Sequence, residues 1–447
     1  MAKRRESRHT SGCFPRLFTQ AQKYRTMGSI RTLMGSILIF VGSLHTTAGT
    51  IPSAEQKARQ TLGMKADEAM SLVESTDCYQ VFARASGGFA IVSQGNEAPR
   101  LLAYSTTATF CPQSDNPGYQ WWQQAVSNLS QEDLAIATTT VPDTLRFPAA
   151  VAPLLSSTWG QKEPYNYQCP MSDCSPWAGY LPQAGHCATG CVATALGQIM
   201  RYHRWPQNGE GSASVFYPLL EPRGHTFTVD FADATYDWDQ MLDSYADGYT
   251  TEQAEAVSQL LYHCGVASQM IYGSSSSGTT NYGALQALGD YFRYDTSEAR
   301  LIVRSELSEP QWMELIYQEL SAGRPIFYEG LDINLGHWVM GHSFVIDGYD
   351  ADGLVHVNWG WNGQENGYYD IALLNPGKYG FDEYQDMIIG YQPRRSPQPD
   401  AIPTLSTDNA APVFSLDGRL VLPRATSARQ LPPGIYLWLG RKIVVTR

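Results

Sequence analysis

The sequence predicts an α+β protein in which amphipathic helices come before a region rich in antiparallel strands. Apolar residues recur at intervals of three and four, as on the buried face of a helix, in residues 192–200, 252–264 and 312–320. Short β-rich runs occupy residues 325–330, 343–346 and 354–359. Because most strands gather in the second half, we expect a helical lobe beside an antiparallel β lobe.

Cys191 is predicted to stand at the start of the first of these helices. The apolar stripe begins at Val192, and Thr189 and Gly190 precede it as candidate cap residues. Unpaired N–H groups and the helix dipole favour an anion at that end, so we expect the thiol to ionise more easily than a free cysteine, whose pKa is about 8.5. Cys191 is therefore a candidate nucleophile, although many cysteines beside helices are structural or disulfide-bonded.

His342 is the candidate base for this nucleophile. Strands 343–346 and 354–359 are separated by a turn cluster with an Asp-Gly signal, which predicts a hairpin. Such a hairpin would bring His342 beside Asn358 and Trp359, and a base oriented by a polar neighbour is what a cysteine nucleophile requires. His356 shares a strand face with Asn358 and remains an alternative orienting or packing residue.

Gln161 lies in a third motif, where its carboxamide can donate to a developing oxyanion. Together the three segments resemble the streptopain family of papain-like cysteine peptidases, secreted bacterial enzymes made as zymogens. The resemblance spans roughly residues 147–394, and its motifs occur in the family's order. They are Trp-Gly-Gln161-x-x-Pro-Tyr-Asn, Ala-Thr-Gly-Cys191-Val-Ala-Thr-Ala, Gly-His342-Ser-Phe-Val-Ile-Asp-Gly and His-Val-Asn358-Trp-Gly-Trp361.

The resemblance implies a papain-like two-lobed fold and assigns roles by position. Cys191 would be the nucleophile, His342 the general base and acid, and Gln161 an oxyanion donor beside the N–H of Cys191. Either Asn358 or Trp359 would hold the imidazole. The resemblance also implies an apolar residue on the acyl side of the cut. The residues expected to bind substrate are Gly341, Trp361, Ser276 and Gly278, the last two in a Gly/Ser-rich loop that could instead be a solvated linker.

The N-terminal third is predicted to contain two segments that leave the enzyme. Residues 1–48 have a basic start, an apolar run at 33–44 and small residues after it, which predicts a secretory signal peptide. The run is too short for a permanent membrane anchor. Residues 49–146 contain strand-like runs at 78–85, 86–93 and 100–105. They resemble the family's inhibitory α/β propeptide, with an ordinary accessory β-domain as the alternative.

The remaining divisions are a catalytic domain at 147–394 and a linker with a β-rich tail at 395–447. The linker is rich in proline around residues 395–403, and alternating strands follow it. The Gly-Ile-Tyr ending resembles C-terminal sorting domains of the Bacteroidetes type IX secretion route. A purely structural tail is the alternative.

The cysteines fit an oxidising compartment and do not require a metal. If Cys191 is free, four others form an even set for two disulfides, and Cys78 with Cys111 could make a third. That even set is Cys169, Cys174, Cys187 and Cys264. A zinc site using His186 would have a ligand spacing that matches no common zinc finger, so we expect no cofactor.

The distribution of charged residues along the chain indicates which kinds of partner to expect. The first 34 residues hold eight Lys or Arg, and the rest of the chain is strongly acidic. We therefore expect no nucleic-acid partner and a location outside a bacterium, of Bacteroidetes type, with protein substrates and the chain's own propeptide as partners. The predicted function is a secreted cysteine endopeptidase. The alternatives are a catalytically silent adhesin or binding module on the same fold, and an acyl transferase with an amine acceptor.

Overall fold

A ten-stranded antiparallel sheet crosses the protein, shown here by a computed structural model, and helices cover both of its faces. The strand order is β1-β2-β3-β4-β12-β11-β10-β9-β13-β8. The structure describes residues 52–95, 98–130, 134, 139–171, 185–217, 225–273, 275–332, 340–371, 385–394, 411–415, 420–425, 430–438 and 441–445.

Six α-helices lie within the described residues. They are α1 (Ala54–Thr61), α2 (Pro117–Ser127), α3 (Cys191–His203), α4 (Thr251–Ala267), α5 (Asn281–Asp290) and α6 (Glu309–Ser321). The strands of the large sheet are β1 (Ser71–Ser75), β2 (Tyr79–Ala83), β3 (Phe89–Ser93), β4 (Leu101–Ser105), β8 (Arg300–Val303), β9 (Ile326–Asp332), β10 (Met340–Tyr349), β11 (Val355–Asn358), β12 (Gly367–Tyr369) and β13 (Gln385–Ile389).

The remaining strands form three smaller sheets. Two are antiparallel pairs: β5 (Ser212–Tyr217) with β6 (His225–Asp230), and β7 (Tyr294–Asp295) with β14 (Gln392–Pro393). The third has the order β16-β15-β17-β18 and uses β15 (Ala411–Ser415), β16 (Leu420–Ala425), β17 (Gly434–Trp438) and β18 (Arg441–Val445).

Two large hydrophobic cores lie on opposite faces of the sheet. The helical core packs α3, α4 and α5 against one face, which contributes Phe327, Val345 and Ile388. The sheet core packs α2 and α6 against the other face, which contributes neighbouring strand residues such as Tyr328 and Phe344. Successive strand residues point to opposite faces, so one set of central strands builds both cores.

Residues 52–130, here called the N-terminal segment, extend the central sheet. Strand β4 pairs with β12 through Tyr104 opposite Tyr368 and Ala103 opposite Tyr369. Arg100 reaches the buried carboxylate of Asp370 at 2.5 Å. The segment also supplies buried side chains to the sheet core. It is thus an integral layer of this form of the protein.

The predicted α+β, papain-like class is confirmed, since the helical and β lobes are both present. The three predicted helices correspond to α3, α4 and α6, and the strand-like runs of the N-terminal region to β2, β3 and β4. Helix α2 was not predicted, although Asn116 before Pro117 is a helix-start signal: the Asn side chain accepts from two N–H groups of the first turn.

Several expectations fall on residues outside the described set. These are the signal peptide at 1–48, the linker at 395–403 and Cys174. Among the residues that the structure does describe, no helix is both long and apolar enough to span a membrane. The expected bridge between Cys78 and Cys111 is absent from this structure, where both carry free thiols.

Candidate active site

Cys191 is the first residue of α3, as the apolar stripe predicts. The residue before it, Gly190, has φ +87 and provides no side-chain cap. A Cβ on Gly190 would come within 2.9 Å of both Met270 Sδ and the carbonyl oxygen of Ser277. Only glycine accepts this backbone without strain, and its small size lets the 271–278 loop approach the nucleophile.

The thiol of Cys191 is partly buried, and burial raises its pKa. The N–H and hydroxyl of Ser343 and the N–H groups of Val192 and Cys191 lower it, without offsetting the burial. The expectation of a pKa below the ordinary value is therefore wrong for this form of the protein. Desolvation outweighs the helix-end effect while the site is covered.

The side chain of His342 on β10 is 3% exposed. Its Nε2 lies 2.7 Å from the carbonyl oxygen of Trp359. Because a carbonyl only accepts, Nε2 must carry the proton in the neutral ring, which leaves Nδ1 free to accept one. Burial lowers the pKa of His342 to about 4, and the Trp359 hydrogen bond opposes this effect. The ring is therefore neutral at neutral pH.

Trp359, rather than Asn358, contacts the imidazole, and it does so through its main chain. The Trp359 indole instead donates to the carbonyl of Glu365 at 3.0 Å. The Asn358 carboxamide donates to the Ser157 carbonyl at 2.7 Å and pairs with the side chain of Gln198. Strand register explains this arrangement, since Asn358 lies opposite Val345 and not opposite His342. His356 lies elsewhere and bonds Asp347.

The main chain of Gln161 is hydrogen-bonded to the loop that precedes Cys191. Its carbonyl accepts the N–H of Thr189 at 3.0 Å, two residues before Cys191. The residue is 8% exposed. A carboxamide on a segment bonded to the main chain just before Cys191 is what an oxyanion-hole residue would present.

The four residues expected to bind substrate divide into two groups. Gly341 and Trp361 lie near the imidazole: Gly341 precedes it on β10, and the Trp361 ring lies edge-on to it at a centroid distance of 6.3 Å. Ser276 and Gly278 are exposed on the 271–278 loop. Between them lies the buried Ser277, whose hydroxyl donates to the carbonyl of Ala188 at 2.7 Å.

The N-terminal segment covers this site. Gly118, in the first turn of α2, faces the imidazole so closely that a Cβ there would lie 2.4 Å from Cδ2 of His342 and 2.5 Å from Cε3 of Trp359. Asp115 accepts a hydrogen bond from the Trp361 indole at 2.8 Å.

Sequence reasoning missed Gly118, Ser343 and Glu365. Ser343 directly follows His342, and strand alternation alone would have pointed it to the opposite face, toward Cys191. No local pattern marks Gly118 or Glu365, because their roles depend on contacts between segments far apart in the chain.

Comparisons with known proteins give matches to two family models. A family model described as Peptidase C10 family matches residues 159–369, and one described as Spi protease inhibitor matches residues 48–129. Streptopain of Streptococcus pyogenes is 32% identical over 326 residues, which are 70% of this chain and 80% of streptopain. The thiol protease/hemagglutinin PrtT of Porphyromonas gingivalis is 29% identical over 406 residues, 83% of this chain.

A solved structure is similar as well. A fragment of prointerpain A from Prevotella intermedia, with a cysteine-to-alanine mutation, has a TM-score of 0.61 and 39% identity. The match covers 72% of this chain and 98% of the fragment. This chain spans only 45% of the length of PrtT. With four fifths of streptopain covered at 32% identity, the predicted membership is confirmed: the chain belongs to the peptidase C10 family of cysteine peptidases, the family of streptopain.

Proposed function

We propose that this chain is a secreted cysteine endopeptidase, made as a latent zymogen, with Cys191 as nucleophile and His342 as general base and acid. The observation that carries the proposal is the arrangement at the junction of the lobes. Helix α3 packs against β10, and Ser343, next to His342, contacts the Cys191 thiol. The Trp359 carbonyl fixes the imidazole proton on Nε2.

The proposed reaction takes place once the N-terminal segment has left and the imidazole has reached the thiol, because in the covered form Ser343 contacts the thiol and its strand neighbour His342 lies on the opposite face of β10. Nδ1 of His342 takes the thiol proton, and Sγ of Cys191 bonds to the peptide carbonyl carbon. The oxyanion forms beside the Gln161 carboxamide and the N–H of Cys191. His342 then protonates the leaving amine as the C–N bond breaks, which leaves a thioacyl-enzyme. His342 next deprotonates a water, whose attack releases the acid and returns the proton to the thiolate.

The covered site supports latency. With Gly118 against the imidazole, no peptide can occupy that position. We propose that residues 49–146 are an inhibitory propeptide cut near Arg146. The chain around that position is accessible: Leu145 is 96% exposed, and the side chain of Arg146 forms an exposed ion pair with Glu314. Exposed loop residues are preferred sites of proteolysis.

We place the enzyme outside the cell of a Bacteroidetes-type bacterium. The basic and apolar leader at 1–48 supports export, and the tail at 411–445 forms a four-stranded sheet that fits a sorting domain. Two of the similar proteins come from Porphyromonas gingivalis and Prevotella intermedia. The proposed partners are protein substrates and the chain's own propeptide.

The test compares wild type with Cys191→Ala. Wild type is expected to cleave itself near residue 146, to hydrolyse denatured protein and to react with an epoxysuccinyl probe at Cys191. The alanine variant should do none of these. Hydrolysis by both proteins would exclude Cys191 as the nucleophile. Products analysed with and without an added amine would expose a transferase, because an amide of that amine would then replace the free acid.

A further inference from the structure

The side chain of Glu365 is a buried carboxylate between β11 and β12, and all the described residues that donate hydrogen bonds to it belong to the N-terminal segment. It accepts from the N–H of Cys111 at 3.1 Å, the hydroxyl of Ser114 at 3.0 Å and the amide of Asn116 at 3.2 Å. Among the described residues, no side chain from 139–394 donates to this carboxylate. The described donors to the Glu365 carboxylate therefore belong to the segment that is proposed to be removed.

This carboxylate lies close to the catalytic imidazole. Asn116, which donates to Glu365, also caps α2 by accepting from the N–H groups of Gly118 and Tyr119. Gly118 in turn touches His342. Two residues of chain span at most about 7 Å, so Glu365 is within a side chain's reach of a peptide lying against His342.

The side of the cleft can be identified from the chemistry. An imidazole that protonates the leaving amine must face the leaving half of the substrate. The indole of Trp361, beside His342, donates to Asp115 in the same stretch of the N-terminal segment. On the proposed mechanism, residues 111–118, which lie against His342 and Trp361, take the place of the leaving peptide.

Loss of the N-terminal segment leaves Glu365 without these three donors. A carboxylate at the edge of a cleft gains most from donors that carry a positive charge, since charge-assisted hydrogen bonds are about twice as strong as neutral ones. An acidic side chain placed there would be repelled. The vacated position therefore fits a lysine or arginine best, an amide or hydroxyl next, and a carboxylate least.

We propose that Glu365 is a specificity-determining residue of the processed enzyme, which selects substrates with a cationic side chain on the leaving-group side of the cut. This inference rests on the proposed function. It concerns the leaving half of the substrate and is separate from the apolar preference expected on the acyl side.

The test uses processed enzyme and two peptide series with one constant acyl half. Lysine, norleucine or glutamate is placed at the first or second residue after the cut. In wild type, kcat/KM for lysine should exceed that for norleucine at least about tenfold in one series, with glutamate slowest. In Glu365→Gln the ratio should fall to about one. Glu365→Asp, which keeps the charge, should restore part of the preference.

Asp370→Asn is the matched control, because Asp370 is also a carboxylate that contacts the N-terminal segment, but it lies at the other end of β12. The ratio of its kcat/KM for the lysine peptide to that for the norleucine peptide should equal the wild-type ratio. Hydrolysis without a lysine preference, or a preference that survives Glu365→Gln, would overturn this inference alone. Failure to hydrolyse any peptide would overturn the proposed function together with it.

Discussion

The two hydrophobic cores differ in where their residues come from. The helical core, which supports Cys191, is built wholly from residues between 155 and 391. The sheet core, which supports His342, includes strands β2–β4 and the aromatic face of α2. The core that supports Cys191, the candidate nucleophile, therefore lies within the proposed mature enzyme. The core that supports His342, the candidate base, is completed by the N-terminal segment, which is proposed to be removed. Release of that segment must change the surroundings of the base far more than those of the nucleophile.

The largest expected effect comes from shortening a side chain that the N-terminal segment contributes to the sheet core. Trp122 is fully buried and packs edge-on against Tyr369. Trp122→Ala in the uncleaved Cys191→Ala chain should lower the free energy of unfolding by about 3–5 kcal/mol, measured by urea titration. Leu196→Ala, in the helical core, is the matched variant. It should destabilise processed enzyme as well, whereas processed Trp122→Ala enzyme should equal wild type.

Acid should destabilise the covered form through His342. Its pKa is about 4 in this form, against an ordinary value of 6.5, so the folded chain binds fewer protons than the unfolded chain between these values. Stability is present above pH 6.5 and is lost as pH falls toward 4. Lowering the pH from 7 to 5 should therefore reduce the free energy of unfolding by about 2 kcal/mol through His342. The measurement is the difference in pH slope between Cys191→Ala and Cys191→Ala/His342→Gln; equal slopes would contradict it.

Gly118→Ala should weaken the contact between the N-terminal segment and His342. The added methyl would overlap His342 and Trp359, and overpacking of this kind costs about 1–3 kcal/mol. Self-cleavage near residue 146 should therefore become about tenfold faster, as followed by gel electrophoresis. Gln124→Ala, at an exposed position of the same helix, is the control and should be cleaved at the wild-type rate. A Gly118→Ala chain as slow as this control would exclude Gly118 as the blocking contact.

Ser343→Ala should give the smallest change, confined to the nucleophile. The Ser343 hydroxyl lowers the pKa of Cys191, so its removal should raise that pKa. Alkylation of Cys191 by iodoacetamide, measured against pH in the uncleaved chain, should shift to higher pH. The Ser343 N–H remains in the variant, so the shift should be partial. A shift to lower pH would reverse the assigned role.

Sequence patterns predicted the elements whose signals are local. The stripe from Val192 places Cys191 at the start of α3, and the Asp-Gly turn signal predicted the β10–β11 hairpin that follows His342. The partner of the imidazole was not predictable in the same way. It is a main-chain carbonyl, and the β10–β11 register, which includes a bulge, turns Asn358 toward Gln198.

The ionisation of Cys191 also escaped prediction, for a different reason. A helix start lowers a thiol pKa by a local effect that can be read from the chain, but burial depends on everything that packs over the site. The contacts of Glu365 with residues 111–116 could not be predicted either, because about 250 residues separate the partners along the chain.

The pairing of β4 with β12 has a consequence for solution behaviour after cleavage. Departure of β1–β4 turns β12 into a border strand with unpaired main-chain groups, the kind of edge on which proteins self-associate. Strand β12 has only three residues, and carboxylates stand just before and after it at Glu365 and Asp370. Shortness and like charge are means by which proteins discourage such stacking, so the mature molecule is equipped to remain dispersed.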